Sequence, residues 1–273
     1  MKIFGEAEGY KSARKSLVHA LRALSIYDKE AIVVVGAQAV YLQCEDDDLP
    51  FSPFTFDSDL AVDPRLLDEI PPIRRVLEQQ GYMLRADGQP GLYRGSMPDG
   101  AGSSAVDILV PDDFAIGAGR RDANLPGDND RAARRTVGLE AALYDKDLRS
   151  IADPDDRNVY AEAYVAGPAA LIFAKAQKIA ERSPDRLKAK DAADVFRLLR
   201  AHEAGVVRAR ITSLRQIPAI GDAVDRGIRA ARDVFVNGTK GRLLFATLLA
   251  EAERAEFLPA YDALTEELGM ALQ

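Results

Sequence analysis

Cysteine and histidine are nearly missing from this chain. Its 273 residues include one cysteine, Cys44, and two histidines. One thiol excludes an internal disulfide, and so few sulfur and imidazole ligands leave little from which to build a zinc site. No apolar run approaches the ~18 residues that a membrane-spanning helix needs. The first ten residues hold Glu6 and Glu8 and no apolar secretory core. The expectation is a cytoplasmic protein without membrane attachment. Internal repeats and low-complexity tracts are missing too. So is a basic excess: the net charge is −7, which taken alone argues against a nucleic-acid partner.

What is there is ordinary for a globular protein, with 47% hydrophobic and 29% charged residues. The length suits one large domain or two modest ones. The charge is unevenly placed. Residues 1–150 carry the whole acidic excess, and residues 151–273 are balanced. Within 175–215, 11 basic residues face 5 acidic ones. A patch of that size can meet a polyphosphate or an RNA backbone, although many such patches are merely solvated.

Periodicity divides the chain into two parts. Leu17, Ala20, Leu21 and Leu24 recur at helical spacing within Lys11–Tyr27. Ile32–Val35 is a short β-branched run that reads as a strand, and Ala37–Gln43 reads as the helix after it. Cys44–Phe54, acidic and carrying Pro50 and Pro53, reads as a loop. Thr55–Val62 reads as a strand, Pro71–Gln80 as a helix, and Tyr82–Leu84, Leu92–Arg94 and Ala105–Val110 as strands. Pro111–Asp130 reads as a long surface segment, and Arg120, Arg121, Arg131, Arg134 and Arg135 in and after it could reach a substrate. After a strand at Asn158–Val165 the pattern turns helical, over Pro168–Arg182, Leu187–His202, Ala219–Phe235, Gly241–Ala255 and Leu258–Leu272. The expected fold is therefore α/β: a mixed sheet with flanking helices over residues 1–155, followed by a mainly α-helical lobe over 156–273.

Three aspartates carry the strongest chemical signal. Asp57 and Asp59 lie two apart on a predicted strand and so project from one face. Two crowded carboxylates repel, and a divalent cation between them relieves the repulsion. Asp107 can join from another strand, and Gly36 ends the strand before them. Oxygen ligands of this kind suit Mg²⁺ with substrate phosphates. A solvated acidic pair is the plainer alternative. In the helical part, Lys175, Lys178 and Arg182 fall on one helix face. Asp191 and Asp194 project toward the apolar face of the next helix, where an unpaired carboxylate is costly. A salt bridge to Lys175 and a catalytic base are both open readings of Asp191.

The order of these pieces resembles the nucleotidyltransferase superfamily typified by DNA polymerase β. Within it, the chain looks like the AbiEii/MenT nucleotidyltransferase-like toxins of type IV toxin–antitoxin systems. The resemblance rests on Gly36-Ala37, Thr55-Phe56-Asp57-Ser58-Asp59, Gly81-Tyr82, Val106-Asp107-Ile108-Leu109, Lys175 with Arg182, and Lys190-Asp191-Ala192-Ala193-Asp194. It covers residues ~30 to 200. It implies a nucleotidyltransferase-type fold and transfer of a nucleotide from an NTP to a hydroxyl, with tRNA 3′ ends as the acceptor and a cognate antitoxin as partner. Asp57, Asp59 and Asp107 would then hold Mg²⁺ or Mn²⁺. Gly36, Ala37, Thr55, Lys178, Arg182 and Asp194 would line the nucleotide. Lys175 would sit near the triphosphate, and Asp107 or Asp191 would be the base. Ala37 stands where a serine or glycine is common, and Pro53 stands where an arginine is often found. A protein or small-molecule acceptor, or a catalytically silent binding module, are the competing readings.

Overall fold

A computed structural model describes residues 2–44, 49, 55–67, 71–84, 89–96, 103–117, 119, 121–128 and 131–273. The predicted loop Cys44–Phe54 lies largely outside these residues, as does Arg120. The chain divides into two compact units, Met1–Ala39 with Ser52–Ala166, and Val40–Phe51 with Gly167–Gln273.

The first unit is a mixed sheet with helices. It opens with helix α1 (Lys2–Ala23), longer at its start than the periodicity suggested. Leu17, Ala20, Leu21 and Leu24 are all buried. Strand β1 (Ile32–Val35) is buried along its whole length, as its β-branched run requires. Helix α2 (Gly36–Gln43) follows at once, then β2 (Ser58–Val62), α3 (Ile73–Gln79), β3 (Met83–Leu84), β4 (Leu92–Ser96) and β5 (Ser103–Pro111). Among the described residues, nine strands share one sheet, whose main path runs β3-β4-β5-β2-β1, then on to β9 (Tyr160–Ala166) and β8 (Lys146–Ala152). Two short strands, β6 (Asp122–Ala123) and β7 (Ala133–Thr136), lie off that path.

The centre of the sheet sets up everything that follows. β1 pairs with β2 antiparallel, matching Val35 with Asp59. β2 pairs with β5 parallel, matching Asp59 with Asp107. β4 lies antiparallel to β5 on the other side, matching Leu92 with Asp107. Just beyond Asp107 that edge of β5 changes partner, and β7 pairs parallel with Leu109–Pro111. Gly91 marks the handover: its carbonyl accepts from Ile108 N at 2.8 Å. Its φ of +76° suits glycine, and a Cβ there would overlap the Ile108 carbonyl.

The second unit is helical. Gly167 precedes α4 (Pro168–Glu181), with Pro168 at the first helical position where its missing N–H costs nothing. Then come α5 (Ala189–Ala201), α6 (Ala204–Arg215), α7 (Gly221–Ala231) continuing into a π-helical turn at Arg232–Val236, α8 (Lys240–Ala246) and α9 (Glu251–Ala271). Its core includes Phe196, whose ring lies 4.6 Å from that of Phe245 and 6.2 Å from that of Tyr261. Among the described residues no helix is long and apolar enough to cross a membrane.

The expected class holds: a mixed sheet with flanking helices, then a mainly helical part. Several details differ. β6, β7 and β8 fall where a surface segment or no element was expected. Their sequences are short or polar, and pairing to neighbours makes them strands. Ala123 and Leu125, inside the supposed surface segment, are buried. Helix α6 was not anticipated. The expected break at 256–257 lies instead at 247–250, where Glu253 caps the Ala250 N–H at 2.8 Å, and α9 runs on through Pro259.

Truncating Phe196 to alanine removes the centre of the aromatic cluster. The expected loss is about 3–5 kcal/mol of unfolding free energy, read from a urea titration.

Candidate active site

Asp59 and Asp107 lie side by side where β1, β2 and β5 adjoin, and Asp57 stands just before β2. Asp59 and Asp107 are in-register neighbours on adjacent strands and therefore share a face. Ser58 points the other way and its hydroxyl donates to the Ala13 carbonyl on α1 at 2.8 Å. That contact fixes which face of β2 carries the aspartates. Asp57 does not belong to the strand as expected; it sits one residue before β2. It is held instead by Thr55, whose buried hydroxyl donates to Asp57 Oδ1 at 2.8 Å. Thr55 thus orients a carboxylate.

Gly36 is built around Asp59. It has φ +70°, a conformation that strains residues with a side chain. A Cβ at Gly36 would overlap the Asp59 carboxylate. The glycine is required twice over, for the turn from β1 into α2 and for the space that Asp59 fills. Ala37 follows it, buried.

Asp107 is 4% exposed. Burial pushes its pKa up first; the Asp59 carboxylate adds to this, and Arg134 opposes it, leaving the group pushed up to about 7. Arg134 Nη2 donates to Asp107 Oδ2. Asp107 Oδ1 is buried with no hydrogen-bond partner. Arg134 is the residue that the motif reading left out of the site. The signal was the arginine run at 131–135, which sequence alone could not aim.

Do these residues suit a divalent ion? The donors are all carboxylate oxygens, as Mg²⁺ or Mn²⁺ requires. The orphaned Asp107 Oδ1 and the space kept by Gly36 also fit. Among the described residues, however, no three acidic, histidine or cysteine side chains are already gathered closely enough to hold a metal. The set suits a divalent ion without forming a finished cage.

The second charged cluster belongs to the helical unit. Lys175 is buried and donates to Asp191 Oδ1 at 3.0 Å and to Asp194 Oδ2 at 2.5 Å. Lys178 Nζ lies 3.2 Å from Asp191 Oδ1, and Arg182 Nη1 lies 3.3 Å from Asp191 Oδ2. The basic stripe on α4 thus converges on one carboxylate of α5. Burial pulls the Lys175 pKa down, but Asp194 and Asp191 outweigh it and the net shift is upward. Burial pushes Asp191 up, but Lys175, Lys178 and Arg182 outweigh it, and Asp191 ends well below the usual carboxylate range. A carboxylate that holds its charge this firmly is a poor proton acceptor near neutrality. Lys178 and Arg182 are partly exposed.

No protein-family profile matches the chain. No curated protein matches it either. Among solved structures, it is similar to the crystal structure of an antigenic nucleotidyltransferase-like protein from Paracoccidioides brasiliensis. That match has 13% sequence identity and a TM-score of 0.43, and covers 81% of this chain and 94% of the other.

Gly36→Ala is expected to cost about 1–3 kcal/mol from backbone strain alone. Gly221→Ala, at φ −52° with open space around it, is the neutral control in the same thermal-denaturation series. Asp191→Asn is expected to cost about 3 kcal/mol near pH 7, since it leaves the buried Lys175 short of a partner. The sign with pH follows from linkage. A carboxylate depressed below its ordinary 3.8 stabilises the fold above that value and loses this contribution as pH falls through its folded pKa. Denaturant titrations of both proteins will show the gap widest near neutrality and closing below about pH 4.

Proposed function

We propose that the chain is a Mg²⁺- or Mn²⁺-dependent nucleotidyltransferase that moves a nucleotide from an NTP onto a hydroxyl acceptor. One observation carries this reading: Asp59 and Asp107 lie in register on adjacent strands, Gly36 at the end of β1 makes room for the Asp59 carboxylate, and a carboxylate oxygen of Asp107 is buried with no partner among the described residues. A structural role has no use for carboxylates crowded in this way. In the reaction the acceptor oxygen bonds to the α-phosphorus, the bridge to the β-phosphate breaks, and pyrophosphate leaves.

Asp57 and Asp59 would hold the divalent ion, with Thr55 keeping Asp57 in place. Bound there, the ion would supply Lewis-acid polarisation of the triphosphate. Gly36 would let the chain approach a phosphate closely, and the backbone N–H of Ala37 would contribute to binding it. Asp107 would take the proton of the acceptor hydroxyl, since it lies in register beside Asp59 with one carboxylate oxygen not engaged by Arg134. That narrows the choice of base, because Asp191 is saturated with cations. Lys175 and Asp194 would act mainly by fixing α4 against α5. Lys178 and Arg182, which solvent reaches, would be the members able to meet a polyphosphate.

The acceptor we infer is RNA, with the 3′ end of tRNA as the specific proposal. The basic excess over 175–215 supports an RNA backbone over a protein or small-molecule hydroxyl. A toxin role, neutralised by an antitoxin, rests on the sequence resemblance, and a cytoplasmic setting on the scarcity of cysteine.

Incubation with Mg²⁺, each α-labelled NTP and total tRNA is the test, with protein and small-molecule acceptors run beside it. Label is expected on tRNA with the intact chain and not with Asp57→Ala/Asp59→Ala. Asp107→Asn is expected to lower kcat by about 10²–10⁴, whereas folded Asp191→Asn stays within about tenfold of the parent. Full transfer by the double variant would end the metal-pair assignment. No transfer and no metal-dependent NTP binding would leave a silent binding module.

A further inference from the structure

Arg134 holds an unusual position at this site. It comes from β7, paired with Leu109 two residues beyond Asp107, so its side chain emerges on the face that carries Asp107. It reaches diagonally to Asp107 Oδ2. The pair is incomplete at both ends. Among the described residues, Asp107 Oδ1 is buried without a hydrogen-bond partner, and so is Arg134 Nε. An arginine–carboxylate pair built for stability engages both oxygens through two parallel N–H donors. This one uses a single point of contact.

The backbone is shaped to bring that single contact about. Gly91 sits between β5 and β7, where a Cβ would press on Arg134 N at 2.7 Å. Its N–H donates to the Arg131 carbonyl at 2.9 Å. Arg131 itself is held at φ +77°, the sole non-glycine among the described residues at positive φ, a strained conformation for a residue with a Cβ. Arg135, next along β7, faces away: it contacts Asp112 and the carbonyls of Gly119 and Ala115. Arg134 is thus aimed at the trio, while its neighbour ties down a loop.

We propose that Arg134 is a counter-ion latch, which holds the third carboxylate while the site lacks its divalent ion and releases Asp107 as that ion is taken up. The inference rests on the reading of Asp57 and Asp59 as the metal-binding pair with Asp107 as the base beside them. Its physical basis is charge. A buried carboxylate beside two half-buried ones needs compensation, and one guanidinium at one oxygen supplies part of it. A divalent ion supplies more, but it must tolerate a unit positive charge close by. Arg134 therefore opposes uptake, keeping the trio in place at the expense of affinity.

The test is Mn²⁺ binding by the full chain at alkaline pH, followed by calorimetry and by the free-ion electron paramagnetic resonance signal. Arg134→Gln is expected to bind Mn²⁺ on the order of tenfold more tightly than the parent. Arg134→Lys keeps the charge and is expected to stay near the parent. In an Asp107→Asn background, Arg134→Gln is expected to tighten binding by clearly less than it does with Asp107 present, and an equal gain in both backgrounds overturns the latch. Binding by Arg134→Gln that is equal or weaker overturns the latch. If the parent binds no Mn²⁺, or binds it as well after Asp57→Asn/Asp59→Asn, the metal-set reading fails and the latch fails with it. A measurement on the unaltered chain covers a variant that does not fold. The Arg134 guanidinium nuclear magnetic resonance signal is expected to shift and exchange faster as Mg²⁺ saturates the site; no change at saturation overturns the proposal.

Discussion

In-register pairing of β2 with β5 is the constraint from which the rest of the site follows. It sets Asp59 beside Asp107 on two central strands, whose backbones cannot separate without breaking the ladder. Like charges so placed raise each other's cost of ionisation. Each local peculiarity nearby answers that cost or makes room for it. Gly36 gives up its side chain to the Asp59 carboxylate, Thr55 anchors Asp57, and Arg134 is brought in from β7 to meet Asp107.

The two charged clusters offer a contrast in how completely charge is satisfied. Asp191 has three cations around it and hydrogen bonds to both oxygens. Its proton affinity falls, and it stays charged through the neutral range. Asp107 has one cation, one filled oxygen and two acidic neighbours, and its pKa is pushed up to about 7. A saturated cluster cements two helices. An unsaturated one retains the capacity to take up a proton or a cation, and perturbed groups of that kind concentrate at functional sites.

Much of this was legible along the chain because it depends on short-range pattern. The buried run Ile32–Val35 announces a central strand, and Leu17, Ala20, Leu21 and Leu24 a packed helix face, whereas the strand spacing expected of Asp57 and Asp59 fails because Asp57 precedes β2. A salt bridge from Lys175 to Asp191 was one of two readings open from helical spacing on α4 and the cost of a carboxylate on the apolar side of α5. The short strands β6, β7 and β8 were not legible, since a polar run such as Ala-Arg-Arg-Thr has no intrinsic strand preference and becomes a strand through its partners.

Sequence by itself therefore determined the residue types and the local periodicities: the turn glycine, the carboxylates and the elements that carry them. Tertiary structure decided which charge meets which. Arg134 and Asp107 are 27 residues apart, and nothing local aims one at the other. Their meeting depends on β5 exchanging β4 for β7 just past Asp107, and on Gly91 letting β7 come close. The physical reason is reach. Propensity and periodicity act over a turn or a strand, whereas electrostatic compensation acts through space between strands that only the folded sheet makes neighbours.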